Sequence, residues 1–363
     1  MTTDERAGPM ELIDRRALED LLTRTVEPYS EMTVTLLAGG ASNLTYLVRL
    51  DDRRYVLRRR PLGPSAPRAH DMHREYTVLA ALQGRGLPVP RVHAYHEAAD
   101  VAGAPCYLMD FVDGVVIHTP QDAEPLQEKA AAQVSHELVR TLAGLHSLDP
   151  GDLAIPDFGR PEGFLRRRIN SWLRQWGSVE HRDFLDVERI GAALLADLPA
   201  QQRSTLVHGD YRLGNVILSL DGDVSVGAIL DWEMSTIGDP LTDLAHLLVY
   251  WEPTRGRVTH PSQLISRRPG FLDGRSLAAE YASATGCDLS PLSFYLAFEH
   301  WRAAIIKDAI YLRRLHAAGE PDDELAEFGR TVGLHLEEAA DILDEARASG
   351  PVRGVPQDKG GLT

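Results

Sequence analysis

The sequence predicts an α+β fold of two lobes: a small N-terminal lobe built on an antiparallel sheet and a larger, mainly helical lobe. Three observations carry this. Between residues 33 and 60 apolar residues alternate with polar ones, the period of half-buried strands. From residue 128 onward they recur at i, i+3 and i+4, the period of helices. The 363 residues are 44% hydrophobic, enough for two separate cores. The lobe boundary falls near Asp113 and Gly114, so residues 1–113 form the small lobe and 114–348 the large one. The Gly-rich run 349–363 is left as a flexible tail.

Along the chain, a first helix is expected over about Glu11 to Arg24. "TVTLL" and "LTYLVRL" read as antiparallel strands joined by "AGGASN". A glycine-rich hairpin lets backbone N–H groups approach phosphates, an ordinary turn being the plainer alternative. "RRYVLRRR" is the next strand, with Val56 and Arg58 on one face and Tyr55 and Leu57 on the other. "DMHREYTVLAAL" is a helix with Met72, Tyr76 and Leu79 as its apolar stripe and Glu75 beside it. "APCYLMDFVDG" is an apolar strand ending in a turn. "EKAAAQVSHELVRTLAGLHSLD" is a long helix, and "FLRRRINSWLRQW" and "FLDVERIGAALLADL" are two more. Trp172 and Trp176, one turn apart, are either a core stripe or the wall of an acceptor pocket.

The chemistry concentrates in two later segments. In "LVHGDYRLGNVIL" two apolar runs flank a polar loop carrying His208, Asp210 and Asn215. In "VGAILDWEMSTIGDPLTDLAHLL" another apolar run ends in Asp231, Gly238 to Pro240 break the chain, and a helical pattern begins at Leu241. A turn or cap explains Asp239 well and Asp231 poorly. Two carboxylates and an amide at adjacent strand ends are hard oxygen ligands, suited to magnesium held against phosphate. Phosphoryl transfer needs such cations, and a base to orient the attacking hydroxyl. Four residues separate Asp210 from Asn215, the spacing of the kinase catalytic loop H-R-D-x-x-x-x-N. On that pattern Asp210 accepts the substrate proton, Asn215 holds one magnesium, and Asp231 takes the place of the metal-binding aspartate of D-F-G.

These motifs resemble the aminoglycoside-phosphotransferase-like branch of the protein-kinase fold, which writes them H-G-D-x-x-x-x-N and D-W-E or D-F-E. Within that branch the chain is most similar to the subgroup related to the kinase domain fused to some acyl-CoA dehydrogenases. "GGASNLTYLV", "YVLRRRP", "HREYTVL", "YLMDFVDG", "LVHGDYRLGN" and "ILDWEMSTIGDPLTDLA" occur in that subgroup's order, from about Leu37 to Leu248. The fold implied is a bilobal protein-kinase-like one.

The resemblance also implies roles. Gly40, Ser42 and Asn43 lie on the phosphate-covering loop. Val56 takes the place that roofs the nucleobase in V-A-I-K, and Arg58 the place of the phosphate-gripping lysine. Arginine there is a departure from the kinases that the subgroup shares, and it grips phosphate through a planar fork. Glu75 is its ion-pair partner. Backbone groups of Asp110, Phe111 and Val112 meet the adenine edge in the connector between lobes. His208 orients the catalytic loop, and Asp243 resembles the buried carboxylate that supports it. The helix "FYLAFEHWRAAIIKDAIYLRRL" lines the acceptor pocket, carrying Arg302, Lys307 and Arg313 against Glu299 and Asp308. That mix suits a hydroxyl substrate with an anionic group, with Arg302 as its contact, better than a polycation; charges that merely face solvent are the plainer alternative.

The reading that follows is an ATP- and Mg2+-dependent phosphotransferase acting on a small-molecule hydroxyl, such as that of a hydroxyacyl-CoA. An aminoglycoside O-phosphotransferase is the alternative acceptor reading. A nucleotide-binding pseudokinase, favoured only by Arg58, is the alternative of another class. A purely structural helical protein leaves the three metal-suited side chains unexplained. The formal charge of −15 disfavours nucleic acid and leaves polycations open. No apolar run reaches the ~18 residues of a membrane span. The N-terminus "MTTDERAGPMELIDRR" lacks an apolar h-region, which points to a cytoplasmic protein. Cys106 and Cys287 stand far apart, against a disulfide framework or a zinc site.

Overall fold

The structure is a computed structural model that describes residues 12–37, 43–61, 71–153, 155 and 158–348. The chain divides into two compact units. The first comprises Met1–Gly159, Thr205–Ile237 and Pro269–Phe271, and the second Arg160–Ser204, Gly238–Arg268 and Leu272–Thr363. Among the described residues no helix is long and apolar enough to cross a membrane.

The first unit opens with α1 (Arg15–Thr25). It starts at Arg15, inside the expected span, because the Asp14 side chain accepts the N–H groups of Arg16 and Ala17 and so caps it there. Glu11 lies outside the described residues. An antiparallel sheet follows: β1 (Met32–Leu36), β2 (Leu44–Leu50), β3 (Arg53–Arg59), β4 (Val92–His96) and β5 (Cys106–Asp110), in the order β1-β2-β3-β5-β4. The edge strand β4 is not anticipated by the sequence, in which His93 and His96 stand only as a loose pair. Its pattern is short and half-buried, and its pairing with β5 shifts register between Val92 and Ala94. Tyr55 and Leu57 of β3 face the core formed with Leu18, Leu22, Tyr46, Val48, Leu50 and Leu108. Each such aliphatic side chain stabilises by about 1.5–3 kcal/mol. The opposite face of β3 carries Val56 and Arg58, as the alternation requires.

α2 (Met72–Leu82) follows β3, capped by the Asp71 side chain on the Arg74 N–H. Its buried stripe is Met72, Glu75, Val78, Leu79 and Leu82. Glu75 therefore lies within the stripe, and Tyr76 is only half-buried. Beyond β5 the chain turns at Gly114, whose φ is +145° and whose added Cβ would stand 2.5 Å from Leu218 O. Only glycine fits so close an approach. α3 (Glu128–Ser147) follows. β6 (Thr205–Val207) pairs with β9 (Thr236–Gly238), and β7 (Val216–Ser219) with β8 (Ser225–Ile229) as a hairpin. The strand ends of this small β region carry the polar loop.

The second unit is helical: α4 (Phe164–Trp176), α5 (Asp186–Ala196), α6 (Leu241–Trp251), α7 (Gly274–Thr285), α8 (Leu292–Ala318) and α9 (Asp323–Ala348). α8 packs along α9 and against α6. Trp172 and Trp176 are buried in the helical core, the first of the two alternatives open for them. The observed architecture is the α+β, mainly helical class that the sequence predicts.

Candidate active site

The loop after β6 is built around a buried histidine. The Asp210 N–H donates to His208 Nδ1 at 3.2 Å, so the ring proton is on Nε2, which lies 2.9 Å from Leu230 O. His208 thus ties the loop to the end of β8. Gly209 has φ +84°, and a Cβ there would stand 2.7 Å from Met234 O, so the loop is pressed against the backbone beyond Asp231. A 3-10 turn, Leu213–Asn215, then brings Asn215 back. Its Nδ2 donates to Asp210 O at 2.8 Å and to Asp210 Oδ2 at 2.6 Å. The Leu230 N–H donates to Asn215 O at 2.8 Å. On the other carboxylate oxygen of Asp210, Oδ1, Arg212 Nε stands 3.6 Å away.

Asp231 follows β8 with φ +68°, left-handed for a non-glycine residue. That turn leads into the 3-10 segment Trp232–Met234, and Trp232 Nε1 donates back to Ile229 O at 3.0 Å. Asp231 Oδ1 meets an Arg58 terminal nitrogen at 2.7 Å, and Arg58 Nε stands 3.3 Å from Glu75 Oε2. Glu75 Oε1 accepts the Trp232 N–H at 3.3 Å, so α2, β3 and the D-W-E segment meet at one point. Arg74, one residue before Glu75, donates to Phe158 O and Ser235 O and holds α2 to the same segment.

The electrostatics follow from burial. Glu75 is 1% exposed, and burial pushes its carboxyl up to about 7 although Arg58 pulls the other way. Burial would lower the Arg58 guanidinium, but Glu75, Tyr107 and Asp231 more than offset it and hold it above its ordinary value. The Tyr107 hydroxyl is driven well up by burial and by Glu75. Glu233 is raised to about 7, by burial first and then by Asp231. Asn43 Nδ2 reaches Glu233 Oε2 at 3.4 Å. Glu233 and Arg212 do not stand out in the sequence, although both lie inside the quoted motifs "DWE" and "HGDYRLGN".

A magnesium nucleotide makes its own demands on these donors. Among the described residues no group of three or more His, Cys, Asp or Glu could hold a metal. Magnesium suits such a place, because it is usually bound by one or two carboxylates with substrate phosphates completing its shell. Asn215 donates through its nitrogen to Asp210, which leaves its amide oxygen as the ligand end. Asn43 Oδ1 is buried without a hydrogen-bond partner, which suits a site that a polar ligand completes. The residues present fit the group.

In the connector, the Asp110 N–H donates to Arg91 O and the Phe111 N–H to Arg54 O. The Val112 N–H has no partner among the described residues. Gly40 and Ser42 lie outside the described residues. Two further residues named from the sequence lie in the second unit. Asp243 is fully buried on α6. Arg302 is buried on α8, paired with Glu299 at 2.6 Å and with His246 Nδ1 at 2.6 Å from its Nη2. Lys307, on the same helix, is buried and donates to Thr259 O and Thr331 Oγ1.

The sequence profile of the phosphotransferase enzyme family matches residues 33–285. Acyl-CoA dehydrogenase family member 10 of Mus musculus is 33% identical over 84% of this chain and 29% of its own length. Acyl-CoA dehydrogenase family member 11 of Homo sapiens is 31% identical over 87% of this chain and 41% of its own length. The chain thus spans less than half the length of these curated relatives. Among solved structures, a Ralstonia eutropha protein assigned as an aminoglycoside phosphotransferase is 27% identical, with a TM-score of 0.76 over 92% of this chain and 98% of that one. A choline kinase from Cryptosporidium parvum shares the fold at 12% identity, with a TM-score of 0.63 over 93% of this chain and 98% of that one. The resemblance read from the motifs is borne out, including its acyl-CoA dehydrogenase subgroup. The chain belongs to the phosphotransferase enzyme family.

Proposed function

We propose that the chain transfers the γ-phosphoryl group of ATP, as its magnesium complex, to a hydroxyl of a small molecule, and that the acceptor is a hydroxyacyl-CoA or another anionic hydroxylated metabolite. The observation that carries the phosphotransferase reading is the meeting of Asp210, Asn215, Asp231 and the Arg58–Glu75 pair within one unit. Asp210 is the base. Asn215 holds its Oδ2 and His208 its backbone, which fixes the carboxylate that takes the hydroxyl proton. Arg58 grips the nucleotide phosphates through its fork while Glu75 positions it. Asn43, with Gly40 and Ser42, covers the phosphates. Val56 roofs the base, and the connector at Asp110, Phe111 and Val112 meets its edge, with the Val112 N–H as donor. Asn215 and Asp231 hold magnesium, which when bound neutralises the phosphate charge. The lobes 1–113 and 114–348 divide these roles.

The relatives' names support the acceptor reading, since each joins a region like this chain to a protein named for acyl-CoA chemistry. An ATP-consumption screen over hydroxylated metabolites, hydroxyacyl-CoA thioesters and aminoglycosides tests both parts. Turnover with a hydroxyacyl-CoA is the expected result. Turnover with kanamycin alone would replace the acceptor. Magnesium-ATP binding without turnover on any acceptor would favour a pseudokinase.

A further inference from the structure

We infer that Arg74 is a positioning residue of the nucleotide grip: it fixes α2 against the turn after Asp231 and so sets where Glu75 aims the Arg58 fork. The inference rests on the phosphotransferase reading and adds a residue to it. Arg74 stands beside Glu75 in the motif "HREYTVL", of which the roles above use only the glutamate.

Arg74 and Glu75 are successive residues of α2, about 100° apart around the helix, yet both reach one short segment. Glu75 Oε1 accepts the Trp232 N–H at 3.3 Å, and Arg74 Nη2 donates to Ser235 O at 2.7 Å. Between these two points the chain is closed on itself, because the Ser235 N–H and Oγ–H both donate to Trp232 O, at 3.1 and 2.6 Å. The first turn of α2 therefore holds both ends of the turn that follows Asp231. The same Arg74 nitrogen donates to Phe158 O at 2.9 Å, and the guanidinium carbon lies 3.9 Å from the centre of the Phe158 ring. Phe158 O also accepts from Thr236 Oγ1 at 3.3 Å, and a Cβ on Gly159 would stand 2.7 Å from Thr236 Oγ1 and 3.0 Å from the Ile237 nitrogen. Residues 158–159 are thus pressed on the start of β9, and Arg74 joins α2 to both. Ser235 and Phe158 are buried, where an unmade hydrogen bond costs most.

The consequence falls on Arg58. Its Nε stands 3.3 Å from Glu75 Oε2 and a terminal nitrogen 2.7 Å from Asp231 Oδ1, so its aim depends on where α2 and the turn lie. A misplacement of about 1 Å is enough to spoil such an alignment. The rest of the α2 stripe is apolar, through Met72, Val78, Leu79 and Leu82, and apolar contacts are non-directional. The Arg74 bonds supply direction. Arginine suits the place because its planar fork donates and stacks at once, which lysine does not do.

Hydrogen exchange and calorimetry test the proposal on Arg74→Met, which keeps the stem and removes the donors. The Trp232 N–H should exchange on the order of 10- to 100-fold faster, the range for losing one hydrogen bond to a charged group. Amides of β2 and β3 should keep their rates, which shows that the variant is folded. Unchanged exchange at Trp232 overturns the proposal. The Kd for Mg-ATP should rise on the order of 10-fold, as when a group that orients a ligand-binding side chain is lost. The Kd for adenosine, which offers the fork no phosphate, should change little. Faster exchange with unchanged Mg-ATP affinity, or an equal loss of affinity for both ligands, would make Arg74 a general structural residue and overturn the proposal. If Arg74→Met does not fold, Arg74→Lys is measured in the same way, with smaller shifts of the same sign expected. No binding of Mg-ATP or adenosine by the unmodified protein would overturn the nucleotide reading and the proposal with it; the exchange measurement needs no nucleotide and so tells a failed clamp from a failed nucleotide site.

Discussion

Replacing Arg58 by Met removes the cation facing Glu75 and Asp231. Its effect on stability should depend on pH in a way the structure specifies. Glu75 is 1% exposed and protonates near 7 even with Arg58 beside it. A carboxyl whose folded value is raised makes the protein less stable as pH climbs from the unfolded value, about 4.5, to the folded one. In the unmodified protein that penalty is complete just above 7. Without Arg58 the folded value moves higher still, so the penalty keeps growing beyond 7. Each pH unit in that window is worth about 1.4 kcal/mol, so at about pH 9 the variant should be about 3 kcal/mol less stable on this account. That agrees with the about 3–5 kcal/mol typical of breaking a buried pair by removing one partner. At about pH 6 Glu75 is protonated in both proteins, and only the loss of the Asp231 contact remains, about 1 kcal/mol. Urea unfolding at the two pH values, followed by tryptophan fluorescence, measures the difference; Trp232 donates its N–H to Glu75 and lies at the perturbed point. Adding Glu75→Gln should return most of the loss at high pH, since the charge that lacks a partner is then gone. A loss that is the same at both pH values, or below about 1 kcal/mol at the higher one, would refute the reasoning.

Asp210→Asn should retain nucleotide binding and lose about 10²–10⁴-fold in kcat; a near-normal kcat would remove Asp210 as the base. Asp231→Ala should weaken Mg-ATP binding itself in a calorimetric titration, and unchanged affinity in the presence of magnesium would deny it the metal. Arg302→Ala leaves Glu299, 3% exposed, with His246 as its remaining polar partner among those above, and should destabilise the second unit by about 3–5 kcal/mol. A raised acceptor KM with unchanged stability would instead make Arg302 the acceptor contact expected from the sequence.

Local order was legible in the sequence because it depends on neighbours along the chain. Strands β2 and β3 stand where the alternation puts them, and α6 begins at Leu241 after the Gly238–Pro240 break. Asp210, Asn215 and Asp231 were legible because a fixed spacing between strand ends carries fixed chemistry. The sequence likewise determined that Arg58 shares a face with Val56, away from Tyr55 and Leu57. Pairing between distant segments was not legible. β4 exists because β5 offers it an edge, and nothing in "VHAYH" announces that. Glu75 looked like a flank of the α2 stripe; only the approach of β3 and Trp232 shows why a carboxylate is buried there. Charge is the hardest property to read from a helix pattern, because a side chain's partner sets its availability. Arg302 stood out on the helix expected to line the acceptor pocket, yet Glu299, three residues earlier, and His246, on another helix, take up its guanidinium. Arg212 was inconspicuous beside Asp210. The sequence determined that an arginine follows the base by two residues; the fold decided that Gly214 leaves it room to turn toward Oδ1.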